Sequence, residues 1–187
     1  MTLLVLGLLL WVAAHVFKSA APGERSRLAA RLGAGPSKGI FAALIALGLI
    51  LTIVGYRSAP IVPFWAPPAW TVHLNNLMML VAVGVFGMSM SKGRSRSWLR
   101  HPQLTAVTIW AAAHLLVNGD RASILLFGGL GAWALASMAL INARDGAWVR
   151  PAPGPAGGDL RLIAITLVTF AAITGIHALL GVWPFPG

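Results

Sequence analysis

The sequence has no cysteine, one tyrosine and only four acidic residues in 187. The missing cysteine excludes disulfides, thiolate metal sites and thiol nucleophiles. The four acids are Glu24, Asp120, Asp145 and Asp159, and all fall in predicted turns or loops. With no carboxylate inside an apolar run, paired-carboxylate acid–base chemistry has no residues to work with. A hydrated Mg or Ca site lacks ligands for the same reason. Charge of either sign is scarce, at 10% of residues, where a soluble domain carries about a quarter.

What is abundant is hydrophobic side chain, 58% of the sequence, in long blocks divided by short basic or Pro/Gly-rich stretches. A helix needs about 20 apolar residues to cross a hydrocarbon core. Backbone groups in lipid must bond within their own segment, so such blocks become helices. The expectation is an all-α polytopic membrane protein, a bundle of about six transmembrane helices forming one domain over residues 1–187.

The expected spans are about Met1–Phe17, Gly39–Gly55, Val72–Met90, Pro102–Val117, Ala122–Ile141 and Leu160–Leu180. The first lacks a basic segment ahead of its apolar run, so it reads as an anchored helix rather than a signal peptide. Between the first two spans, Arg25, Arg27 and Arg31 with Leu28 and Leu32 predict a short interfacial helix. Ser58–Trp70, with Pro60, Pro63, Pro67 and Pro68, predicts an irregular loop whose Trp65 and Trp70 lie at headgroup depth. Asn118-Gly119-Asp120 predicts a helix stop and a tight turn. Gly128, Ala132 and Ala136 predict a small-residue stripe for close helix packing.

Net charge is +10. Nucleic acid is rejected as a partner because the basic residues lie in the connections that flank spans. There they mark orientation and lipid contact. The first, third and fifth connections hold nearly all the Lys and Arg, while the second and fourth hold Arg57 and Arg121. The positive-inside rule then puts the odd connections in the cytoplasm and both termini on the opposite, periplasmic side.

The five histidines, His15, His73, His101, His114 and His177, are the polar residues that demand explanation. An ionisable group inside a span is a functional candidate by default, and histidine is a common ligand of metals and of haem iron. His101 precedes Pro102 and reads as an interfacial helix cap. His114 lies inside an apolar helix with Trp110, Val107 and Gln103 on the turns below it. Ala111, Ala112 and Ala113 leave room beside it for a neighbouring helix or a flat ring. Two readings stay open: a bond across to another helix, or a ligand. His15 and His73 have interfacial explanations, and His177 lies late in the last span.

Several segments resemble the NnrU family: Trp98-Leu99-Arg100-His101-Pro102-Gln103, Ile109-Trp110-Ala111-Ala112-Ala113-His114 and Asn118-Gly119-Asp120. Trp11-Val12-Ala13-Ala14-His15, Tyr56-Arg57-Ser58-Ala59-Pro60 and Ala66-Pro67-Pro68-Ala69-Trp70 with His73 extend the resemblance over nearly the whole chain. That family is linked to nitrite and nitric oxide metabolism in denitrifying bacteria. It is similar to 15-cis-zeta-carotene isomerase, a haem b membrane protein. The resemblance implies haem b, with His15 and His114 as axial ligands and His73, His101 and His177 in support. It implies a supporting motif of Arg100, His101, Pro102, Trp110, Asn118 and Asp120, and the bacterial inner membrane as location. The isomerase has cysteine where this chain has Ala111, so thiolate ligand exchange has no counterpart here, which argues against isomerase activity. Depth favours a different pairing. Opposed helix directions offset His15 from His114 by roughly 10–15 Å along the axis, while His73 and His177 lie nearer the depth of His114.

Three functions follow as expectations. One is a haem-binding protein supporting nitric oxide metabolism with its pathway proteins. Another is a haem-dependent cis-trans isomerase of a polyene drawn from the bilayer. The third is a cofactor-free membrane partner protein.

Overall fold

The computed structural model describes residues 1–186, and among them there are seven helices and no strand. α1 is Thr2–Ala20, α2 Pro22–Leu32, α3 Ala34–Arg57, α4 Thr71–Met88 and α5 Pro102–Val117. α6 is Arg121–Asp145 and α7 is Ala156–Leu179. Five of these, all but α2 and α5, are long and apolar enough to cross a membrane. α5 is apolar but has 16 residues, about 24 Å of helix against a hydrocarbon core of about 30 Å. The all-α membrane architecture is as expected, with five helices of spanning length, the shorter apolar α5 at the place of the expected fourth span, and one amphipathic helix.

α2 starts on Pro22, with Glu24 in its first turn and Arg31 in its last, as the helix dipole favours. It buries none of its residues, as an interfacial helix should. Gly33, at φ +86°, turns the chain directly into α3. The second span therefore begins at Ala34, five residues before the expected Gly39. Arg25 holds this corner: it bonds Ser37, and its guanidinium lies 4.3 Å from the Phe41 ring centre.

α1 lies against α3 and α6, α6 against α5, α5 against α4, and α4 against α7. The spans therefore run in the order α3, α1, α6, α5, α4, α7, with α7 at one edge. The tightest seam joins α1 and α3. A Cβ on Gly7 would collide with the Thr52 backbone, and one on Gly55 with the Leu4 backbone; one on Gly48 would lie 2.9 Å from the Trp11 nitrogen. Small residues allow backbones to meet where lipid supplies no hydrophobic drive.

The expected stripe on α6 is a correction. Ala132 and Ala136 face outward. The buried face is Phe127, Gly131, Ala134 and Ser137, and a Cβ on Gly131 would sit 3.1 Å from the Ala111 methyl. α6 contains a π-helical turn over Ile124–Gly128. Beyond that turn the helix is regular, and it turns the Gly131, Ala134 and Ser137 face inward rather than the Ala132 and Ala136 face.

The Ser58–Trp70 loop folds over the short α5. Phe64 and Trp65 both donate backbone N–H to Gly119 O, at 2.6 and 3.1 Å, and Arg121 N–H bonds Val62 O at 2.9 Å. Irregular backbone is tolerated near a membrane when protein satisfies its polar groups. Gly119 is required here, since a Cβ would strike the Trp65 carbonyl. Asp120 then caps α6, accepting from Ser123 N–H at 3.0 Å and from its hydroxyl. Tyr56 of α3 joins the same hydroxyl at 2.9 Å. Burial pushes the Asp120 carboxyl up, but the Ser123 and Ala122 hydrogen bonds outweigh it and hold the group below the usual carboxylate range.

At the opposite end, Asp159 lies in the first turn of α7 rather than in a loop. Its carboxylate accepts from Arg94 N–H and Ser95 N–H, each at 3.0 Å, and from the Ser95 hydroxyl at 2.7 Å. This end carries all the Lys and Arg except Arg57 and Arg121. Cross-bonds confirm that the odd connections meet there: Arg144 to Ser19 and Arg100 to Gly146 O. The molecule has one basic face and one nearly uncharged face.

Candidate functional site

A cavity of about 540 Å³ lies where α5 and α7 diverge from α4. It runs from Met79 to Gly87 on α4, with Met90 just past that helix, and from Leu162 to His177 on α7, about 12 Å and about 22 Å of helix at 1.5 Å per residue. α7 makes its main helix contact with α4, so nothing seals the gap between α5 and α7. Ala82 and Ala106 are small and buried, and they widen the floor. Phe86 and Ile165 at the edges are largely exposed, so the cavity opens sideways toward lipid.

Among mostly apolar walls the polar side chains are Thr166, Thr169, Trp110, His114 and His177. His114 and His177 come from helices that run in the same direction, and each lies within the last turn or so of its helix. They therefore reach similar depth. His114 Nδ1 donates to Trp110 O at 3.0 Å. His177 Nδ1 donates to Ile173 O at 2.8 Å. A carbonyl can only accept, so Nδ1 carries the proton and Nε2 of each neutral ring keeps a free lone pair. That is the tautomer a metal ligand needs.

The His114 ring is fixed from three directions. It stacks on Phe127 of α6, with centroids 4.6 Å apart and planes at 26°. Trp110 lies 5.2 Å away on its own helix and meets Phe127 edge-on at 5.0 Å. Asn118 closes the helix end: its Nδ2 donates to His114 O at 2.8 Å and its backbone N–H to the same oxygen at 2.9 Å. Nothing in the sequence singled out Phe127, one aromatic in an apolar run. The π turn aims it at His114.

The other histidines lie elsewhere. His15 Nδ1 donates to Trp11 O at 2.8 Å, and its ring packs 4.2 Å from Trp11 and 5.1 Å from Trp133. It does not line the cavity. Its contact Trp133 lies six residues beyond Phe127, about 9 Å further along α6. The indole nitrogens of Trp11 and Trp133 are buried there without a hydrogen-bond partner. His73 is exposed in the first turn of α4. His101 is the residue before α5, but its side chain makes no cap bond. Its Nε2 instead bonds Asn142 Oδ1 at 2.8 Å, tying α5 to α6. Of the motif residues, Trp110 lines the cavity, Asn118 and Asp120 lie beyond its outer end, and Arg100, His101 and Pro102 line a separate cleft on the basic face.

Among the described residues no three His, Asp or Glu side chains cluster to hold a bare metal ion. Two imidazoles on an apolar cavity suit a metal that brings its other ligands with it, as haem iron does. The cavity's volume is in the range of cofactor sites. No Lys or Arg lines it, so the carboxylates of a haem would find no cationic partner inside it.

A family model described as NnrU protein matches residues 3–184. No curated protein and no solved structure matches the chain.

Proposed function

Since the chain belongs to the NnrU family, we propose that it is a haem b-binding protein of the bacterial inner membrane that supports nitrite and nitric oxide metabolism. The observation that carries the reading is the cavity between α4, α5 and α7, with His114 and His177 as its two imidazoles. His114 would be the first residue to hold the iron, its ring oriented by Phe127 and Trp110. His177 would be the second, in place of the His15 that the resemblance implies, because His177 lines the same cavity and His15 does not. When bound, haem supplies an iron that exchanges electrons or binds a small diatomic. The protein's part is to present unprotonated Nε2 atoms, exclude water with apolar walls and hold ring orientation. The positive-inside rule puts the basic face in the cytoplasm and both termini in the periplasm.

A second reading has one observation in its favour. The cavity is long, apolar and open to lipid, as a site for a polyene drawn from the bilayer must be. Haem-dependent cis-trans isomerisation of such a substrate is tested by incubating reduced protein with cis-zeta-carotene and separating the isomers by chromatography. The first reading predicts no conversion. Both predict that the purified, detergent-solubilised protein is red. A colourless protein from haem-replete cells contradicts both and leaves a cofactor-free partner protein.

A further inference from the structure

A second cleft, of about 440 Å³, opens on the basic face between the C-terminal end of α4 and the start of α5. Arg96, Arg100 and His101 line it with Gln103 and Trp148, and no acidic side chain does. Among the described residues only two ion pairs form, Arg27 with Glu24 and Arg144 with Asp145. Neither Arg96 nor Arg100 is neutralised. Asp145 acts on Arg100 and His101 from a distance, but its carboxylate is taken by two bonds from Arg144, at 2.6 and 3.0 Å.

One of these cations is held in place. Arg100 donates to Gly146 O at 2.6 Å through one nitrogen, which orients the guanidinium and leaves its other N–H groups free. His101 is held on the cleft wall through Nε2, which donates to Asn142 Oδ1. Arg96 is exposed and adds a second fork of donors. Two guanidinium groups around one cleft fit a phosphate, whose oxygens accept such forks. Beyond Ser89 and Ser91 the wall continues onto apolar side chains, Met88, Leu104 and Ile141, from three helices of the bundle. A site that is cationic on one side and continues onto span residues on the other matches a lipid headgroup better than a free ion. We infer that the cleft binds the phosphate of an anionic phospholipid, fixing the α4–α5 connection to the membrane surface.

The test uses the full-length protein, delipidated in detergent and followed by native mass spectrometry. Dioctanoyl phosphatidylglycerol and inorganic phosphate are titrated separately. Saturable uptake of one phosphatidylglycerol is expected. Arg96→Gln and Arg100→Gln together should weaken it about tenfold or more, since each removes a charge-assisted pair. Arg57→Gln, on the other face, should leave it unchanged. Arg96→Gln alone, at an exposed position, should weaken it severalfold with an unaltered helical circular dichroism spectrum, which separates the effect from misfolding. Phosphatidylglycerol binding that does not saturate, or that survives the Arg96 and Arg100 changes, overturns the inference. So does inorganic phosphate that binds as tightly as the lipid, which would make this a site for the free ion.

Discussion

Phe127 of α6 and His114 of α5 lie face to face, 4.6 Å between ring centres, and the π turn of α6 puts Phe127 there. The imidazole has one bond within its own helix and one aromatic wall from the neighbouring helix. Its ring plane is therefore set before any ligand arrives. Phe127→Leu should leave the bundle folded but free the ring to rotate. The proposed outcome is weaker haem retention and a broadened haem absorption band. Unchanged haem content on dilution would show that the stack does not position the ligand.

The α1–α3 seam predicts a stability defect remote from the cavity. Gly55→Ala places a methyl against the Leu4 backbone, and backbone cannot rotate away as a side chain can. Overpacking of this kind costs about 1–3 kcal/mol. The expected result is a melting temperature several degrees lower in detergent, with the haem spectrum of the folded fraction unaltered. Gly128→Ala, in a position with nothing within 4 Å of the new atom, is the control that should melt as the wild type does.

Asp120 predicts a pH response on the nearly uncharged face. Its carboxyl is held below the usual range in the folded protein, so its stabilising bonds to Ser123 are fully present above the unfolded carboxylate value. They are lost as pH falls through the lower, folded value. The wild type should therefore lose thermal stability on acidification through that range. Asp120→Asn should start less stable at neutral pH and show a smaller decline. Parallel wild-type and variant curves would assign the decline to other groups.

Asp159 ties α7 to the α4–α5 connection through three bonds. α7 leans mainly on α4, and Thr166 is the one residue it buries. Asp159→Ala should loosen the start of α7 specifically. Hydrogen exchange of Leu160–Ile163 amides should quicken, while amides of α1 and α3 keep their wild-type rates.

The spans, the interfacial helix and the basic face were all legible in the sequence, because each depends on local composition. Apolar length makes a span wherever it occurs, and Lys18 or Arg100 marks the basic end whatever packs beside it. Which histidine lines the same cavity as His114 was legible only in part: depth pointed to His73 and His177 alike, and the resemblance pointed to His15. His15 and His177 look alike along the chain: both are late in a span and both bond the carbonyl four residues back. Which of them faces His114 depends on helix order, with α7 beside α4 and α6 between α1 and α5. That order comes from contacts such as Gly7 with Thr52 and Asp159 with Ser95, which link residues far apart in sequence. The face that α6 buries was not legible because small residues recur on two of its faces, Gly128, Ala132 and Ala136 on one and Gly131, Ala134 and Ser137 on the other, and packing against α5 and α1 selects the second. Asp159 looked like a loop residue because a side-chain cap on a distant backbone turn leaves no periodic trace.

The central claim is tested most directly by the visible absorption spectrum of purified protein, oxidised and dithionite-reduced, for the wild type and for His114→Ala, His177→Ala and His15→Ala. The wild type should show a Soret band that shifts on reduction. His114→Ala should lose the haem, His177→Ala should lose it or change its ligation, and His15→Ala should match the wild type. Full haem in His114→Ala, or loss in His15→Ala with His177→Ala unaffected, contradicts the assignment of the cavity between α4, α5 and α7.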